Sequence, residues 1–244
     1  MAQNIYDDPD FFAGYSALPR SVTGLAGAPE WPALRALLPE LSGRRVVDLG
    51  CGFGWFSRWA REQGAASVLG LDLSANMLAR AMTDTDDAAI TYERQDLDAL
   101  TLPLAAFDLA FSSLVLHYLA HLDRFLSTVH DALVPGAPFV FSCEHPLFTA
   151  PSSQTFVVDR EGHVTWPLDR YLDEGPRTTE WIGPGVVKQH RTIGTYISLL
   201  VRAGFVIDEL VEWGPSPEQI AEHPDWAPAR ERPMFMLVAT HRSR

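Results

Sequence analysis

Cysteine is scarce. Only Cys51 and Cys143 occur in 244 residues, so no disulfide framework holds the chain, and free thiols in a reducing compartment, the cytoplasm, are the expectation. Bases are scarce as well: 19 Lys and Arg face 31 Asp and Glu, a formal net charge of −12, and no basic patch offsets it. A phosphate backbone would meet repulsion, which argues against a nucleic-acid partner. No apolar stretch reaches the roughly 20 residues that cross a bilayer, and no basic-then-apolar leader opens the chain, so a soluble protein without a membrane partner is expected. Internal repeats and low-complexity tracts are missing. Metal-ligand spacing is nearly so: His117 and His121 share a spacing that suits one helix face, but no third ligand or intervening Glu supports a metal. What is plentiful is apolar content, at 47%, enough to fill one α/β body of this length.

Glycine is concentrated at one place. In Val46-Val47-Asp48-Leu49-Gly50-Cys51-Gly52-Phe53-Gly54 an apolar strand ends in an acid and opens onto a loop with glycine at every second position. Such a backbone reaches positive φ and approaches a ligand with no Cβ in the way. The spacing is G-x-G-x-G after an acid, one residue short of the dinucleotide fingerprint G-x-G-x-x-G. A second acid, Asp72, ends the next apolar run, Ser67-Val68-Leu69-Gly70-Leu71, after room for one helix and one strand. A carboxylate at that strand end can accept both hydroxyls of a ribose.

Apolar runs and amphipathic segments alternate along the chain, the pattern of a parallel sheet covered by helices. Trp55, Phe56, Trp59 and Ala60 predict a helix stopped at Gly64, and Ser74 caps a second through Met77, Leu78 and Ala81. Ile90-Thr91-Tyr92, Asp108 to Ser112 and Phe139 to Cys143 read as strands three, four and five. Leu122, Phe125, Leu126, Val129 and Leu133 mark a helix between the last two. A further helix lies over Ile193 to Val201, and Phe205 to Leu210 and Met234 to Ala239 supply the last strands. Residues 1 to 40 and 144 to 191 fall outside the alternation. The first is expected to be an N-terminal helical lid on a domain of residues 41 to 244, the second a cap inserted after strand five, because a structureless loop of that length is improbable in a compact domain.

On these residues the chain resembles the class I S-adenosylmethionine-dependent methyltransferases. Asp48 to Gly54 is similar to that family's first motif, Leu71-Asp72-Leu73-Ser74 to its second, and Arg94-Gln95-Asp96-Leu97 to its adenine-contacting third. Phe107 to Ser112 resembles the fourth strand and Leu133-Val134-Pro135-Gly136 the turn into the fifth, so the likeness covers about residues 44 to 143. It implies a Rossmann-like α/β fold, a mostly parallel seven-stranded sheet of order 3-2-1-4-5-7-6 with the last strand antiparallel and helices on both faces. The implied cofactor is S-adenosyl-L-methionine and the product S-adenosyl-L-homocysteine. The loop of Gly50, Cys51, Gly52 and Gly54 suits the cofactor's carboxylate and Asp48 its ammonium, directly or through water. Asp72, followed by Leu73, would take the ribose hydroxyls, Asp96 the adenine amino group and the Leu97 backbone the ring. Ser112 would offer its backbone to the methionine end. Met77 either packs near the adenine or fills core; Tyr15 and Arg20 either fold over the cofactor or staple an N-terminal helix.

For the acceptor, His145 in Glu144-His145-Pro146 stands at the carboxyl edge of the sheet and is the expected general base, with a role in holding the cap as the alternative. His117 faces cofactor or core. Glu144, His190 and Arg191 are candidate acceptor contacts, Arg191 as a bidentate partner for a carboxylate. Families that methylate nucleobases carry Asn/Asp-Pro-Pro-aromatic where this chain has Ser112-Ser113-Leu114-Val115, and the acid pair of aminopropyl transferases is missing. The expectation is methyl transfer to O or N of a small, partly apolar metabolite. The alternatives are a non-methylating reaction on the same fold and a cofactor-binding protein without turnover. Oligomeric state stays open between monomer and homodimer.

Overall fold

A computed structural model describes residues 3–244, so the first two residues of the expected lid lie outside it. The N-terminal part is helical. Asp8 caps helix α1, Pro9–Ser16, by accepting from the N–H groups of Asp10 and Phe11, and Pro9 occupies the first turn where no N–H is required. Short helices α2, Pro19–Val22, and α3, Trp31–Ala36, follow.

The alternation then begins: β1 Arg45–Leu49, α4 Trp55–Glu62, β2 Ser67–Asp72, α5 Ala75–Thr83, β3 Ile90–Arg94, β4 Leu109–Ser113, α6 Leu122–Ala132 and β5 Pro138–Glu144. Ser74 caps α5 by accepting from Met77 N, as its position before an apolar-periodic run predicts. After β5 come α7 Pro146–Thr149 and four strands, β6 Val157–Val158, β7 Val164–Thr165, β8 Gly175–Trp181 and β9 Gly183–His190. Helix α8, Ile193–Arg202, is capped by Thr192, and β10 Phe205–Trp213, α9 Pro217–Glu222 and β11 Phe235–Arg242 close the chain.

Among the described residues seven strands form one sheet in the order β10-β11-β5-β4-β1-β2-β3. Counted along the chain, β10 and β11 are the sixth and seventh of these, so the observed order is the expected 3-2-1-4-5-7-6. Strand β11 is antiparallel to both its neighbours, whereas the remaining pairs are parallel. Alternate side chains leave the central strands on opposite faces. Val47 and Leu49 enter the core under α6 and α8 with Phe125, Leu126, Val129 and Leu200, while Val46 faces Trp31, Phe56 and Leu78 on the other side. Both faces are thus covered, and the strands read as continuous apolar runs for that reason. The chain leaves β1 toward β2 and returns on its other edge as β4, which puts a topological switch point at the carboxyl ends of β1 and β4.

The segment 144–191, which falls outside the alternation, forms the hairpins β6–β7 and β8–β9. Along β9 the buried positions are Val186, Lys188 and His190, a strict period of two. Two of those three inward residues are polar, so no apolar alternation was there to read.

Phe111 of β4 is almost fully buried and stacks on Phe56 of α4 at 3.6 Å between ring centroids with 16° between planes. Replacing Phe111 with Ala should cost about 3–5 kcal/mol of unfolding free energy through lost burial and the cavity left behind. Urea unfolding should show the midpoint falling with an unchanged slope; a loss below about 1 kcal/mol would mean that α4 repacks and does not depend on this stack.

Candidate functional site

The switch point opens onto the glycine loop. Gly50 N and Cys51 N both donate to Leu71 O, at 2.8 and 2.9 Å, which folds the loop back over the end of β2. Gly50 has φ +83° and packs so closely against Val115 that a Cβ would collide with Cγ2 of that residue. Gly52, at φ +52°, has nothing within 4 Å of where a Cβ would stand, so its surface is bare backbone facing open space. Its N–H donates to Asp72 Oδ2 at 2.9 Å. Gly54 caps α4 without a side-chain acceptor of its own, and the carboxylate of Asp48 takes up the Ser57 N–H in the first turn of that helix.

A cavity of about 660 Å³ spreads from this loop, within the range of about 300–1,000 Å³ common for small-molecule sites. At one end it is lined by Gly50, Gly52, Asp72, Leu73, Met77, Asp96 and Leu97. Asp72 accepts from Ser74 N at 2.9 Å through Oδ1 and from Gly52 N through Oδ2, so each oxygen keeps lone pairs for a ligand donor. Burial raises its pKa against the opposing pull of those N–H groups. Asp96 caps the short turn Leu97–Ala99 by accepting from Asp98 N at 3.0 Å.

Asp48 does not line the cavity. It is 2% exposed, accepts from Ser57 Oγ at 2.6 Å, and burial lifts its pKa to about 7. Cys51 and Gly54 also stand off the cavity wall. Ser112 is turned away from it: its hydroxyl donates to Leu49 O at 2.7 Å inside the sheet, and Ser113 is the serine that reaches the wall. Leu114 follows with φ +56°, an uncommon conformation for a branched side chain that costs on the order of 1–3 kcal/mol and delivers Val115 onto Gly50.

The same cavity is also lined by Tyr15, Arg20, His117, Glu144, Trp181 and Arg232 among others. Glu144 accepts from Lys188 Nζ at 2.5 Å through Oε1, while its buried Oε2 has no partner. Burial raises the Glu144 pKa despite the ammonium beside it. His117 Nδ1 accepts from Glu144 N at 3.2 Å, so the neutral ring carries its proton on Nε2; burial, with help from Lys188 and Arg191, pushes its pKa well down. Arg20 pairs with the buried Glu30 at 3.1 Å. Tyr15 packs edge-on to Tyr6, Phe53 and Trp181.

His145 requires a correction. It is fully buried and outside the cavity, its Nδ1 accepts from Leu147 N at 3.1 Å to cap α7, and its Nε2 meets Glu212 Oε1 at 2.9 Å. With both ring nitrogens engaged there, no acceptor reaches it, and the sequence position alone could not say which way the ring turns. His190 is likewise buried, bonded to Thr149 Oγ1 and Tyr171 O at 2.9 Å each, and Arg191 donates through Nη2 to Leu119 O and Ala120 O. His190 ties parts of the inserted segment to one another and Arg191 fastens it to the domain, and neither lines the cavity.

Several lining residues carried no sequence signal. Arg232 stands in Glu231-Arg232-Pro233 with no motif around it, and Lys188, which pairs with the lining Glu144 from behind the wall, looks like an exposed base in a polar run. The N-terminal strap is another: Asp7 accepts from Ser74 Oγ at 2.5 Å and Asn76 N at 3.1 Å at the start of α5, and Gln3 exchanges two hydrogen bonds with β9, to Gly185 O at 2.8 Å and from Val187 N at 2.9 Å.

Residues 47–141 match a family described as a methyltransferase domain. The structure of an S-adenosylmethionine-dependent methyltransferase from Mesorhizobium loti is 57% identical, with a TM-score of 0.87 over 90% of this chain and 100% of that one. An uncharacterized protein of Haemophilus influenzae is 33% identical over 91% of this chain and 89% of its own length. A malonyl-[acyl-carrier protein] O-methyltransferase of Enterobacter lignolyticus is 39% identical over 110 residues, 45% of this chain and 43% of that protein.

The buried Asp48 sets a pH dependence for the ligand-free protein. Its folded pKa lies above that of the unfolded chain, so from about pH 4 to 7 the unfolded state releases a proton that the folded state retains, and unfolding becomes easier as pH rises. Asp48→Asn lacks this proton. Its stability relative to wild type should therefore improve across that window and level off above it, as read by urea unfolding at pH 4 to 8; parallel pH curves would show that Asp48 is ionised in the folded protein throughout.

Proposed function

Because the chain belongs to the S-adenosylmethionine-dependent methyltransferases, we propose that its cavity holds that cofactor beside a small metabolite and moves the methyl group onto an oxygen or nitrogen of the latter. The single observation that carries this reading is that the glycine loop, Asp72 and Asp96 share one cavity with Glu144, His117 and Arg232. Bound S-adenosylmethionine supplies a methyl group on a positive sulfur, open to in-line attack.

The residues at the loop end suit that cofactor. Bare backbone at Gly52 and the N-terminus of α4 accommodate its carboxylate, and Asp48 below the loop draws its ammonium through the loop or through water. Asp72 retains acceptor capacity on both oxygens, as two ribose hydroxyls require. Asp96 and Leu97 take the adenine edge, with Met77 against the ring and the Ser113 backbone toward the methionine end. Residues 3–40 act as the lid and 144–191 as the cap, and together they keep water from the transfer. Fixing both reactants in line supplies on the order of 7–11 kcal/mol in favourable cases, so no protein nucleophile is needed. Where the acceptor must lose a proton, Glu144 Oε2 replaces His145 as the group able to receive it, being buried at the cavity and without a partner.

Support for a small acceptor comes from the volume of the cavity, and support for an oxygen from the relative named for O-methylation, whose acceptor is carried on a protein. The full-length protein, incubated with methyl-labelled S-adenosylmethionine and a metabolite extract, should pass label to small molecules and yield S-adenosylhomocysteine. Label in protein or nucleic acid alone, or a product formed while the methyl stays on sulfur, rules the reading out. Asp72→Ala should raise the Kd for S-adenosylmethionine roughly 10- to 100-fold in calorimetry, since hydroxyl bonds to a charged acceptor are worth about 1.5–3 kcal/mol; an unaltered Kd would remove Asp72 from the ribose.

A further inference from the structure

The acceptor end of the cavity is more positive than a chain of net charge −12 leads one to expect. Lys188, Arg191 and Arg232 are all buried around it. Glu144 neutralises Lys188, and backbone carbonyls occupy Arg191. Arg20 at the rim is matched by Glu30. Arg232 is left. It is 8% exposed, and among the described residues no carboxylate lies within ion-pairing distance of it.

The way Arg232 is held makes this more than a leftover charge. Its guanidinium carbon lies 4.4 Å from the Phe148 ring centroid, 4.2 Å from Trp166 and 5.4 Å from Phe156, so aromatic rings pack around its planar faces. The edge of the fork is another matter: Nη1 reaches only Pro233 O, at 3.5 Å, and the buried Nε has no partner. Such packing fixes the orientation of the plane and leaves its in-plane donors to something else. His117 adds a neutral Nε2–H to the same wall, and Glu144 Oε2 stands there as an unpaired acceptor.

We infer that the acceptor is an anion, a small carboxylate bearing a hydroxyl or amine, with its carboxylate on the free edge of Arg232 and its hydroxyl or amine donating to Glu144 Oε2. The inference rests on the small-molecule reading above and narrows it. A guanidinium fork matches the two oxygens of a carboxylate in one plane. One unmatched cation beside a carboxylate side chain suits a monoanion better than a dianionic phosphate, which Glu144 would repel. Burial that weakens the guanidinium's hold on its own proton, to a pKa of about 10, is relieved when an anion docks.

The test uses the full-length enzyme, methyl-labelled S-adenosylmethionine and a small-molecule extract in three portions: untreated, treated with phosphatase, and treated with carbodiimide and methylamine to turn carboxylates into neutral amides. Label should enter small molecules equally in the first two and fall at least about tenfold in the third. Labelling that survives amidation overturns the inference, and labelling lost to phosphatase does so as well by making the anion a phosphate. No labelled small molecule in any portion removes the small-molecule reading itself, and the inference with it. With the labelled fraction as substrate, Arg232→Gln should raise KM roughly 10- to 100-fold while the Kd for S-adenosylmethionine stays within about twofold, and Arg232→Lys should fall between. An Arg232→Gln enzyme with wild-type KM overturns the assignment; should that variant not fold, the amidation arm on the unaltered enzyme decides it.

Discussion

One carboxylate holds the cofactor end together. Asp72 stands at the last position of β2, and its two oxygens reach in different directions, to Gly52 N in the glycine loop and to Ser74 N at the start of α5. Two crossovers of the sheet are tied at a single point. The loop could not lie there without the in-register pairing of β1 and β2, because Gly50 and Cys51 hang from Leu71 O, the residue just before Asp72. Sheet register, loop path and helix entry therefore depend on one another, and the bare backbone presented at Gly52 is their joint result. The same group that organises the loop is the one best placed to read a ligand's hydroxyls, so binding and folding draw on the same interaction.

The acceptor end follows a different logic. Its side chains come from parts of the chain far apart in sequence: His117 after β4, Glu144 at the end of β5, Lys188 on β9 and Arg232 before β11. None belongs to a motif, and each is held by desolvated neighbours more than by local geometry. Glu144 and Lys188 are buried against each other, and a buried pair of this kind contributes specificity of arrangement more dependably than stability. A cofactor end carried by a continuous motif and an acceptor end assembled from scattered residues is the division expected of a fold that serves many chemistries.

That division also explains what could be read from sequence. The strand ends bearing Asp48, Asp72 and Asp96, the caps at Ser74 and Thr192 and the order of the sheet were legible because each rests on short-range pattern: apolar runs, turn residues and spacing. Ser112 is expected to offer its backbone, and it is the neighbouring Ser113 that lines the cavity while the Ser112 hydroxyl is bonded inside the sheet, a difference of one position that strand pattern does not resolve. His145 was placed at the right edge of the sheet, yet its ring turns toward Glu212 on β10, a contact 67 residues away that no local signal carries. The hairpins of the inserted segment escaped because their inward positions include Lys188 and His190, polar residues whose burial makes sense only once Glu144 and Tyr171 are known to face them.

The strap formed by residues 3–7 links two elements that the sheet leaves apart. Gln3 fastens it to β9 and Asp7 fastens it to α5, and residues 3–6 between these points line the cavity. At about 0.5–1.5 kcal/mol for each hydrogen bond, neither mooring is strong alone, and the two together hold the segment in place. One short segment thus couples the inserted hairpin to the helix that follows the ribose-side acid, through an amide at one end and a carboxylate at the other.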